Sequence, residues 1–302
     1  MDTARQDEEE PPGLPVEAAA VWVLFAVVAV EILVTYSRLP SAELYHVSGS
    51  GLEGGASRLL VFGNFPTALV ALAILGLVQG RLRDRHSRAV ALLAGVLCLP
   101  VFWPGVVSQA DLDARPINAV AAAGVVLALA LCGTIALREG ISRRPWRGSD
   151  RVRAAIGVVL VLVALPWLAA ELGFFLNGVP VLDRIFQTGE YLKTLPGLPP
   201  FPPAVHHGDH HGMNGLLLVL SALLLSRRIT RVRFLAAYLS VMLCYGLGNI
   251  ANDFWTEQVF KRGWTTWQIP NVLEPRVTVA WAMIVLTAAA VWWQAYRTRR
   301  AP

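Results

Sequence analysis

Charge is what this sequence has least of. Of its 302 residues, 16% are Asp, Glu, Lys or Arg and 55% are hydrophobic, whereas a water-soluble domain carries about 25% charge. That deficit excludes a soluble globular enzyme. The three cysteines, Cys98, Cys132 and Cys244, fall in separate apolar blocks with no CxxC pair, which excludes a disulfide framework and a thiolate metal site. No repeat of about 20 to 50 residues is visible, so a solenoid is excluded. Segments of about ten residues alternating apolar and polar are also missing, which excludes a membrane β-barrel. Lysine is nearly absent beside arginine, and alanine is abundant. This usage suits a GC-rich gene and points to a bacterial plasma membrane.

What is present is a series of apolar blocks, each close to the roughly 17 to 25 residues that a helix needs to cross a bilayer. Eight are read, near 17–36, 59–79, 89–109, 117–137, 154–176, 204–226, 234–253 and 277–296. The first follows the acidic run Asp7 to Glu10 and contains Glu31, so it is a span and not a signal peptide, which needs a basic start. Orientation follows from arginine, because cytoplasmic loops hold the excess of basic residues. Arginines cluster at 81–88, 138–153, 227–233 and 297–300, with Arg5 on the same side. The expectation is an all-α integral membrane protein of about eight transmembrane helices. Both termini are cytoplasmic, and a polar cavity occupies the extracytoplasmic half. Residues 1–16 form an acidic cytoplasmic tail, 17–296 the membrane domain and 297–302 a basic tail. Outer loops cover 37–58, 110–116, 177–203 and 254–276. The net charge of +5 is explained by this positive-inside bias, and no nucleic-acid partner is expected.

Histidine breaks the symmetry. Five of the six (His46, His206, His207, His210 and His211) fall on the outer side, and only His86 lies among the cytoplasmic arginines. The sixth span is too short unless its helix begins near Pro203, a residue type suited to the first helical position. His206-His207-Gly208-Asp209-His210-His211 then fills its first two turns. At about 100° per residue the four imidazoles share one face, about 140° wide. The i, i+4 pairs His206/His210 and His207/His211 bring two nitrogens within reach of one ion each, so two ions can be held. Asp209 lies on the flank, as a ligand or as the acceptor that fixes an imidazole tautomer. His46 is placed to fold down as a fifth imidazole.

Other spans supply partners at matching depth. Glu31 and Glu171 each sit five residues inside the outer end of a span, roughly 7 to 8 Å deep. Ionisable groups at such depth default to functional sites, and these two are the candidate general bases. Asn64, Asn214, Asn249, Asn252 and Asp253 are candidate substrate-binding or ligand-supporting residues, with Asn249 and Asp253 sharing a face by i, i+4 spacing. Asp253 and Glu257 also fit simple interfacial charges. Pro66, Pro100, Pro104 and Pro166 are candidate kinks that open the bundle. Between the Glu31 level and the cytoplasmic loops the spans carry no Asp, Glu, His, Lys or Arg, which argues against a transport relay.

Several known motifs come near without matching. His207-Gly208-Asp209-His210 resembles the second half of the metallo-β-lactamase HxHxDH signature, with Val205 where its first histidine belongs. The helical HxxxH resembles that of membrane zinc hydrolases of the ceramidase and adiponectin-receptor type, whose remaining motif residues do not align. Clustered histidines also resemble membrane desaturases, whose boxes face the cytoplasm.

Imidazole with carboxylate suits zinc, iron or copper. The expectation is a metalloenzyme with one or two such ions near the extracytoplasmic face, acting on a lipid-like or isoprenoid substrate. Metal-activated water gives hydrolysis, and metal-activated oxygen gives oxidation with an electron donor as further partner. The alternatives are a metal- or pH-sensing membrane protein and a metal transporter.

Overall fold

The computed structural model describes residues 12–38, 49–107, 113–171, 176, 178–186, 211–229 and 233–297. It is an all-α protein, and five of its helical stretches are long and apolar enough to cross a membrane. These are Val16–Arg38, Leu52–Arg81, Arg85–Phe102, Pro116–Glu139 and Arg233–Phe260.

The first stretch is helix α1, Val16–Arg38. It buries Ala18, Val21, Trp22, Phe25, Ile32 and Tyr36, the spacing of one helical face. Val23, Val27, Val30 and Val34 form the opposite stripe and are 48–64% exposed. An unbroken exposed valine stripe is costly in water and at ease against lipid chains. After residue 48 the chain turns at Gly51 and re-enters as α2, Leu52–Phe62. Leu52–Arg58, expected within the outer loop 37–58, is helical instead. A side chain at Gly55 would collide with the Leu33 carbonyl and Ser37. Glycine here brings α1 and α2 into close approach.

Helix α2 does not run on smoothly. At Gly63–Thr67 it widens into a π-type turn in which Phe65 is extended, with φ −141° and ψ 125°. Pro66 has no N–H to donate, so the i→i−4 ladder is interrupted. The freed Phe62 carbonyl is taken up by the Thr67 hydroxyl at 2.7 Å. Beyond the break the chain resumes as α3, Ala68–Val78, nearly all buried. Helix α4, Arg85–Cys98, is capped by Asp84, whose carboxylate accepts from the Ser87 N–H at 2.8 Å. It ends where Pro100 enters a short 3-10 turn. Helix α5, Pro116–Glu139, starts with proline at its first position, and Asn118 accepts from the Arg115 N–H.

Helices α6, Gly148–Val163, and α7, Leu165–Glu171, are separated at Ala164 beside Pro166. A short helix α8, Leu182–Phe186, follows. Helices α9, His211–Leu225, and α10, Arg233–Trp255, form a hairpin with the most extensive helix interface in the fold. Its seam is lined by glycine, because a Cβ on Gly215 would stand 2.7 Å from the Gly246 carbonyl. Helix α11, Val279–Arg297, packs on α10.

At the end rich in arginine, two short strands pair in parallel, β1 (Leu14–Pro15) with β2 (Ile141–Ser142). Beside them the buried Glu17 carboxylate meets Arg228 Nε at 2.6 Å and Arg227 Nη1 at 2.9 Å. Arg228 also donates to the Ser142 carbonyl at 2.7 Å. Arg227 continues to Asp150, which accepts from the Arg147 N–H and pairs with Arg153. This network ties α1, α6 and the α9–α10 connection together.

Burial alone would raise the Asp150 carboxyl, but the Arg147 N–H and the charges of Arg227 and Arg153 outweigh it and hold the pKa below its usual value. A carboxyl depressed in the folded state gives stability above its unfolded pKa of about 3.9 and loses it as pH falls through the lower folded value. Thermal unfolding midpoints of detergent-solubilised protein should therefore fall below about pH 4. Asp150→Asn should flatten that part of the profile, and an unchanged profile would remove Asp150 as a contributor.

Candidate functional site at the end opposite the arginines

The polar residues of this end are set by α10. Asn249, Asp253 and Glu257 follow at i, i+4 and i+8, and all three are buried. The line holds because α10 passes into a wide turn, Thr256–Phe260, instead of stopping at Trp255. Asn249 Nδ2 donates to the Tyr245 carbonyl at 2.9 Å. Asn252, on the neighbouring face, donates to the Ile269 carbonyl at 2.7 Å and so ties α10 to the segment before α11.

Asp253 is the hinge of the arrangement. Its Oδ2 accepts from the Gly212 N–H at 3.0 Å, capping the first turn of α9, where helical N–H groups lack partners and favour a negative charge. Only glycine fits at 212, because a Cβ there would collide with the carboxylate. The buried Glu257 pairs with Lys261 at 3.1 Å. Arg262 donates to the carbonyls of Arg184 and Ile185 and to Gln258, joining this turn to α8. Burial lowers the Arg262 guanidinium from its ordinary value, opposed by the charge of Glu257.

The second contributor is the break in α2. Asn64 is buried there, and Phe65 meets the Tyr245 ring edge-on with centroids 6.1 Å apart. The Tyr245 hydroxyl donates to the Leu273 carbonyl at 2.6 Å. The break also packs against α9, whose Asn214 is buried one residue before the glycine seam.

The comparisons with known proteins come back empty. No protein family, no curated protein and no solved structure matches the chain. Its function must be read from its own residues.

Of the sequence-derived candidates, Asn64, Asn214, Asn249, Asn252 and Asp253 are all buried at this end. Glu31 is half-buried in α1, where its carboxylate accepts from the Thr35 hydroxyl at 2.7 Å. Glu171 is the last residue of α7 and His211 the first of α9. His46, His206, His207, Asp209 and His210 lie outside the described residues. Among the described residues, no three His, Cys, Asp or Glu come together to hold a metal.

Two charged residues at this end escaped the sequence reading. Arg58 is buried in α2 with its guanidinium over the Tyr36 ring, 5.2 Å from the centroid. It had been counted as the last residue of a loop. Glu257 had been read as an interfacial charge. Its i+4 spacing from Asp253 was the available signal, hidden by the assumption that the span ends at 253.

Proposed function

We propose that the chain is a membrane-embedded metalloenzyme. His206, His207, His210 and His211, with Asp209 and His46, hold one or two ions of zinc, iron or copper. The observation that carries this reading is the buried Asp253 carboxylate on the Gly212 N–H. It fixes the backbone immediately after the histidine run and sets a negative charge beside the point where that run joins α9. Imidazole and carboxylate together are the donor set such ions select. A bound ion supplies either water acidified to a pKa near 7 or activation of oxygen.

Glu31 and Glu171 are the proton acceptors in this reading, and the buried asparagines orient substrate. The positive-inside distribution of arginine supports an extracytoplasmic position for the histidines, at a plasma membrane. The substrate reached there is lipid-like or isoprenoid, and the oxidative version adds a quinol or another donor of electrons.

Metal analysis of tag-free protein tests the reading, with His207→Ala/His211→Ala as control. One or two equivalents of zinc, lost in the variant, support hydrolysis. Iron or copper, likewise lost, supports oxidation. A metal-free protein whose unfolding midpoint is unmoved by any of the three ions would sink the proposal.

A further inference from the structure

A second site lies one turn deeper and does not depend on the histidine segment. Asn64, Asn214 and Asn249 stand on three different elements, the break in α2, α9 and α10. Three contacts bring those elements to one level. Phe65, next to Asn64, meets Tyr245, one turn before Asn249. A Cβ built on Gly215, next to Asn214, would stand 2.9 Å from the Asn249 Cβ. The break itself packs against α9. Asn249 is fully buried, Asn64 is 1% exposed and Asn214 is 6% exposed.

In each of the three the carboxamide oxygen is buried and receives no hydrogen bond among the described residues. Three donors close by are directed elsewhere. Asn249 Nδ2 goes to the Tyr245 carbonyl, the Tyr245 hydroxyl to the Leu273 carbonyl and the Thr67 hydroxyl to the Phe62 carbonyl. Asparagines that only glue membrane helices together donate and accept across the helix interface. Here the carboxamide bond described within the group, from Asn249, runs back along its own helix. What remains is three buried acceptor oxygens that no described donor reaches, near Phe65, Tyr245 and Leu218. Such an arrangement is costly unless something positive or hydrogen-donating sits among the oxygens.

We propose that Asn64, Asn214 and Asn249 line a binding site for an alkali-metal cation at the helix break. Neutral amide oxygens are hard ligands, and none of the three residues is a carboxylate, imidazole or thiolate, the groups that divalent and transition ions demand. Interrupted helices are where membrane proteins place monovalent ions, because irregular backbone there is tolerated only when it faces protein or a ligand. Asp253, one turn from Asn249 on the same face of α10, supplies the compensating charge at short range.

The test uses the full chain, purified in detergent and stripped with a chelator so that no transition metal contributes. Unfolding midpoints are measured in sodium, potassium, lithium or N-methylglucamine chloride at one ionic strength. One alkali ion is expected to raise the midpoint saturably by about 3–6 °C over N-methylglucamine. Asn214→Leu and Asn249→Ala are each expected to abolish that rise, judged against each variant's own cation-free midpoint, so a general loss of stability does not obscure the result. Equal midpoints in all four salts would overturn the site. A cation response kept in both variants would overturn its location. Either failure leaves the histidine-metal reading standing, because that is scored by bound transition metal alone.

Discussion

Glu17→Met is expected to lower stability by about 3–5 kcal/mol, the usual effect of removing one partner from a buried ion pair. Glu17 faces both Arg227 and Arg228, and the Arg228 side chain is fully buried. Without the carboxylate, a guanidinium stays out of water with only the Ser142 carbonyl to accept from it. The loss should appear as a fall of about 5–8 °C in the unfolding midpoint for a chain of this size. The pair is weak as a net stabiliser, since desolvating both charges offsets much of their attraction. Glu17→Met/Arg228→Met should therefore recover most of what the single change loses. A double variant no more stable than Glu17→Met would show that the two residues do not act on one another.

The second large effect is expected at the seam between α9 and α10. A Cβ on Gly246 would sit 2.6 Å from the Gly215 carbonyl, and one on Gly215 would sit 2.7 Å from the Gly246 carbonyl and 2.9 Å from the Asn249 Cβ. In both cases the nearest atom is a backbone carbonyl oxygen, so the helices must move apart. Gly215→Ala and Gly246→Ala should each cost about 2–3 kcal/mol, the upper part of the range for overpacking. Both changes strain the same contact, so together they should cost clearly less than the sum. Strict additivity in a double-mutant cycle would show that the two glycines pack against separate neighbours.

The apolar blocks were legible because a bilayer sets a length and a composition that few other environments demand. Five of the eight appear as helices of spanning length, and the other three correspond to the described helices Gly148–Val163, His211–Leu225 and Val279–Arg297. Ends of helices were harder. Leu52–Arg58 is polar enough to pass for a loop, yet it is the start of α2, with Gly55 against Leu33 and Ser37 of α1. The i, i+4 pair Asn249 and Asp253 was readable from spacing alone. That Asp253 would cap α9 was not, because capping depends on which helix ends beside it. The pairing of Glu17 with Arg227 and Arg228 was hidden for another reason. Counting loop charges treats every one as solvated, while Glu17 and Arg228 are buried and Arg227 is half-buried against the same carboxylate. Pro66 marked the kink, yet only the fold shows that the kink carrying Asn64 packs against α5 and α9.

The fastening at the arginine-rich end also bears on how the chain is made. Helix α1 leaves the ribosome long before its partners, since β1 pairs with residues 141 and 142, and the Glu17 carboxylate pairs with Arg228, 211 residues further along. At a synthesis rate of about 5–20 residues per second, the first helix waits on the order of 10–40 s for its counter-charge. Throughout that interval it sits in the bilayer with an acidic residue and no partner at its entry point. A helix made before its partners is thus locked only once they have followed it. A nascent chain halted before Arg227 should leave the N-terminal segment open to protease, and one released after Arg228 should close it.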